Sequence, residues 1–105
     1  MSKEIYKTLA NDNSYSFNIV KTIEELNELS TALSQHLTKG TDLSEIIEEV
    51  GDVKVRFKIL NKMLGSDFKS KVKKRVTQKT KELFNKNETI KLGKDLHYGK
   101  RKYTV

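Results

Sequence analysis

Apolar residues recur along most of this chain at the three-, four- and seven-residue intervals of an amphipathic helix, and no alternating strand pattern competes with them. Residues 1–10 are compatible with a short helix, and Asn11-Asp12-Asn13-Ser14 follows as a turn-rich break. From Tyr15 the series Ile19, Ile23, Leu26, Leu33 and Leu37, widened by Leu29 and Ala32, predicts a helix over 15–38 that stops at Lys39-Gly40. Asp42 is placed to cap a second long helix over 42–64, with Glu45 in the reciprocal position of a capping box. That helix carries Ile46, Val50, Val53, Phe57, Leu60 and Leu64 and ends at Gly65. A third strong segment, 67–85, sets a narrow stripe of Phe68, Val72, Val76 and Leu83 among many lysines.

The short link at 39–42 predicts an antiparallel helical hairpin. The expected fold is therefore all-α: a helical bundle with the 15–38 and 42–64 helices as its core hairpin and the 67–85 helix packed alongside. With 35% hydrophobic residues in 105, the core of one chain is small, so dimerisation is expected to complete a four-helix core, as a homodimer or a homotetramer. Residues 1–90 are assigned to one domain, and 91–105 to a basic, flexible tail punctuated by Gly93 and Gly99. The absence of cysteine excludes thiol chemistry, and no run is long and apolar enough for a membrane span or a signal peptide. A cytoplasmic protein without a membrane partner is expected.

Charge divides the chain sharply. Residues 1–52 hold four lysines and ten acids, whereas 53–105 hold seventeen basic residues and four acids. The basic half suits a polyanion, either nucleic acid or the triphosphate of a nucleotide. The acidic half discriminates between them. Glu24-Glu25-Leu26-Asn27-Glu28 and Glu49-Val50-Gly51-Asp52 read E-E-x-x-E and E-x-x-D, and each pairs carboxylates three residues apart on one helix face. Either pair alone equally describes the wet face of an amphipathic helix. Together, in an antiparallel hairpin, Glu25, Glu28, Glu49 and Asp52 face one another beside apolar residues, where unneutralised negative charge is costly. Such an all-oxygen set suits Mg²⁺, with Mn²⁺ able to substitute.

Val20 to Leu29 and Glu48 to Val53 resemble the signature of MazG-like nucleotide pyrophosphohydrolases, of the all-α NTP pyrophosphohydrolase superfamily. The resemblance covers roughly residues 15–85. It implies Mg²⁺ ligation by Glu25, Glu28, Glu49 and Asp52, and cleavage of nucleoside triphosphates between the α and β phosphates to monophosphate and pyrophosphate. It further implies that Glu24 is an added ligand or orients the attacking water, with Glu24 or Glu25 as proton acceptor. Lys54, Arg56 and Lys58 depart from the more apolar helix of relatives and are candidate phosphate contacts. Lys79 joins them because relatives often carry a basic residue on that helix, and Lys100, Arg101 and Lys102 in the tail are weaker candidates. His36 and His97 are isolated, so no zinc site is expected. Tyr15, Phe17, Tyr98 and Tyr103 are equally packing groups or base-stacking platforms. The competing function is a nucleic-acid-binding accessory protein that uses helix 67–85 and the tail.

Overall fold

A computed structural model describes the backbone of residues 2–93 and the side chains of residues 2–87. Four helices follow in order: α1 (Lys3–Asp12), α2 (Tyr15–Lys39), α3 (Ser44–Leu64) and α4 (Ser66–Gly93), with no strand among the described residues. The all-α expectation therefore holds. The chain divides into two compact units, Met1–Lys69 and Ser70–Val105.

Local chemistry sets the boundaries of the first unit. The Ser14 side chain accepts the Phe17 N–H at 3.0 Å and caps α2. Gly40 ends the helix in the left-handed region at φ 70°, where its N–H reaches the His36 carbonyl at 3.0 Å. The His36 ring then ties the link down, with Nδ1 at 2.6 Å from the Thr41 carbonyl. Asp42 acts differently from the expected capping box. Its carboxylate accepts both the N–H (3.0 Å) and the hydroxyl (2.7 Å) of Ser44, so the turn closes two residues on and α3 begins at Ser44. Those two bonds hold the Asp42 carboxyl below its ordinary range. Gly65, at φ 97° and ψ 172°, occupies backbone space that side chains disfavour and separates α3 from α4.

The hairpin of α2 and α3 forms as expected, and α1 packs on α3. The expected apolar stripe is covered in part, buried at Ala32 and Val53 and half-buried at Ile19, Leu29, Ile46 and Leu60. One row on α2, Asn18, Thr22, Glu25, Leu29, Ala32 and His36, and one on α3, Ile46, Glu49, Val53, Arg56, Leu60 and Met63, are buried or half-buried, as are Ile19, Lys21 and Gln35 on α2 and Asn61 and the 2% exposed Ile59 on α3. Both rows step by alternating threes and fours, the spacing of a coiled-coil seam. Ile23, Leu26, Leu33 and Leu37, expected in the core, are exposed instead, as are Ile47, Val50, Phe57 and Leu64. Small Ala32 and β-branched Thr22 and Val53 allow close helix approach, whereas the bulkier stripe lies one step around each cylinder.

In the second unit α4 is longer than the expected 67–85 segment, and its backbone runs to Gly93. Every described side chain from Lys71 to Asn87 is exposed, including Val72, Val76 and Leu83. The narrow stripe offers little area to drive burial. Residues 94–105, with His97, Tyr98, Lys100, Arg101, Lys102 and Tyr103, lie outside the described residues.

Candidate metal centre

Antiparallel pairing turns two separate sequence motifs into one site. Glu25 of α2 meets Glu49 and Asp52 of α3, each offering a carboxylate oxygen, with all three oxygens within 4.8 Å of one another. Glu28, one turn along α2 from Glu25, adds its negative charge to both glutamates. Glu25 Oε1 and Glu49 Oε1 are closed off from solvent and have no hydrogen-bond partner. Buried carboxylate oxygens normally accept hydrogen bonds, so one unpartnered oxygen on each of these two neighbouring carboxylates, the Glu25 carboxyl also contacting that of Glu28, marks a deficit of positive charge or protons.

Electrostatics gives the same result. Loss of hydration pushes the Glu25 carboxyl above its ordinary 4.5, reinforced by Glu28 and Asp52 and opposed by the Arg56 guanidinium. Glu49 is also raised, first by loss of hydration and then by Glu28, Asp52, Glu48 and Glu25. Glu25, Glu49 and Asp52 would be the residues to hold a divalent cation there. The donor set, all carboxylate oxygen, fits Mg²⁺ or Mn²⁺ and offers nothing to a thiophilic metal.

The remaining candidates separate. Glu24 turns away from the cluster and pairs with Lys21 at 3.1 Å on the exposed side of α2. Arg56 is half-buried beside Glu25, and its Nη1 donates to Asn18 Oδ1 at 3.4 Å. Lys54 is exposed. Lys58 lies over the Tyr6 ring, 5.4 Å from its centroid, which engages it with α1. Lys79 belongs to the second unit and lies 4.0 Å from Glu82.

Two features were not recognised from sequence. Asn18, only 1% exposed, anchors Arg56; its signal was its position seven residues before Glu25 on the same helical row. An open depression of about 380 Å³ adjoins the carboxylates, lined by Asn27, Glu28, Thr31, Ala32, Gln35, Glu45 and Glu49. Its amide and hydroxyl groups provide hydrogen-bonding capacity next to the acidic cluster. No family model, no curated protein and no solved structure matches this chain.

Proposed function

We propose that this protein is a Mg²⁺-dependent nucleoside triphosphate pyrophosphohydrolase, releasing a nucleoside monophosphate and pyrophosphate. The observation that carries the reading is the pair of orphaned, solvent-shielded oxygens on Glu25 and Glu49 within one carboxylate cluster. Glu25, Glu49 and Asp52 would hold the ion, with Glu28 beside them. When bound, Mg²⁺ supplies charge neutralisation on the phosphates and acidifies a water. Phosphoanhydride hydrolysis asks a protein chiefly for positioning and charge stabilisation. Arg56 places fixed positive charge at the cluster's edge. Glu24, paired with Lys21, is left without a part in this scheme. Substrate would be a ribo- or deoxyribonucleoside triphosphate of particular or aberrant base, with its polar groups toward Asn27, Thr31 and Gln35.

The same reading includes a homodimer. Leu37 is 75% and Ile47 68% exposed, and with Leu33 and Phe57 they leave a large apolar surface on the hairpin for a second copy to cover.

The test is release of pyrophosphate from a panel of nucleoside triphosphates with and without Mg²⁺. The parent should turn over at least one of them, and Glu49→Gln and Asp52→Asn should each lose roughly 100-fold or more while keeping their helix content. A folded parent inactive on the whole panel, or full activity in both variants, would overturn the proposal.

A further inference from the structure

The second unit carries an independent feature. Between Lys71 and Lys81, α4 holds Lys71, Lys73, Lys74, Arg75, Lys79 and Lys81 without a single acid, over about 15 Å of helix. Glu82 lies 3.5 Å from Arg75 and 4.0 Å from Lys79, and Asp67 stands one helical turn before Lys71. Two carboxylates against six cations leave a net positive field. At about 100° per residue, Lys71, Lys74, Arg75 and Lys81 share an arc of about 120°, with Asp67, Gln78, Glu82 and Asn85 within it. Lys73 and Lys79 flank the opposite side. All of these side chains are exposed.

We propose that this segment of α4 is a binding surface for duplex DNA, read through its phosphates and not its base sequence. The charge densities correspond: a duplex presents one phosphate charge per about 1.7 Å of axis, or roughly nine over the length of these six cations. The shapes correspond as well, because a helix about 10–12 Å across enters a major groove about 12 Å wide, and cations on several sides then face both phosphate walls. The deep, narrow major groove of duplex RNA excludes a helix. Single strands are less favoured because Phe84 is the one exposed aromatic side chain between Lys71 and Asn87, which gives a stacking platform for a single base and none among the cations themselves. A lipid surface is disfavoured because the exposed apolar side chains of this segment, Val72, Val76, Leu83 and Phe84, are few and set among cations, less than an interfacial helix inserts. The surface does not depend on the carboxylate site, and DNA is neither cleaved nor altered.

The test is fluorescence anisotropy of a dye-labelled, mixed-sequence DNA duplex with the full chain, in chelator, as salt rises from about 50 to about 200 mM. Four phosphate contacts predict a slope of log affinity against log salt near −3.6, a loss of about 100-fold over that range. Lys74→Gln/Lys81→Gln should flatten the slope by about 1.8, and Lys39→Gln in the first unit should leave it unchanged. Circular dichroism verifies that the variants keep their helices. Glu49→Gln should bind DNA like the parent, which separates this proposal from the metal reading. Absence of salt-dependent binding, an unchanged slope in the double variant, or tighter binding to single strands, duplex RNA or anionic vesicles would overturn it.

Discussion

Replacing Asn18 with alanine tests the physical account of the hairpin most directly, because one buried amide joins three helices. Its Nδ2 donates to the Ala10 carbonyl at 3.3 Å and lies 3.6 Å from Met63 Sδ, while its Oδ1 accepts from Arg56 Nη1 at 3.4 Å. The Ala10 carbonyl belongs to the last turn of α1, where no intrahelical N–H is available to it, so Asn18 completes that helix end. Alanine leaves the carbonyl and the half-buried guanidinium without this partner. Taking about 1 kcal/mol for the long neutral bond and about 1.5 kcal/mol for the charged one, with a small cavity added, the loss is about 3 kcal/mol. For a domain of this size that corresponds to a fall in Tm of roughly 10–20 °C. Urea and thermal unfolding of the parent, Asn18→Ala and Asn18→Leu give the answer. Leucine restores volume but not hydrogen bonds, so both variants should be destabilised by similar amounts. If both lost less than about 0.5 kcal/mol, the amide would not be holding α1 and Arg56 in place, and the reasoning would fail.

The pH dependence of the carboxylate cluster follows from its sign. Glu25 and Glu49 bind protons more tightly folded than unfolded, so their contribution to stability is fully present below the ordinary 4.5 and is lost as pH rises through their raised folded values. Mg²⁺ affinity, measured calorimetrically, should climb over that same interval and level off above it; a flat profile would contradict the cluster as ligand. For the homodimer, Leu37→Glu/Ile47→Glu should weaken association by roughly 100-fold or more in sedimentation equilibrium with helix content intact, since each apolar side chain contributes about 1.5–3 kcal/mol when fully buried. A parent chain that sediments as a monomer would remove the dimer from the proposal.

Periodicity and punctuation in the sequence determined much of the fold. Gly40 and Gly65 mark helix ends because each sits at a backbone angle that a side chain resists, and Ser14 marks a start because its hydroxyl meets an unpaired N–H. The spacing of Glu25 with Glu28 and Glu49 with Asp52, and the short link between their helices, made a shared carboxylate site legible before any coordinates. Tertiary structure alone decided which row of each helix faces the other. The strongest apolar stripe was the natural candidate for the core, and Leu29 and Ala32 of it are covered, yet Asn18, Thr22 and Glu25 share the seam while Leu33 and Leu37 are exposed. Periodicity reports that a helix has a greasy side; it does not report whether that side meets the same chain. Nor could spacing separate Glu24 from Glu25. One residue is about 100° of helix, enough to turn the first toward Lys21 and the second into the cluster. Arg56 likewise looked like its neighbours Lys54 and Lys58 until the antiparallel crossing brought it between Asn18 and Glu25, because proximity across a hairpin depends on register and rotation together.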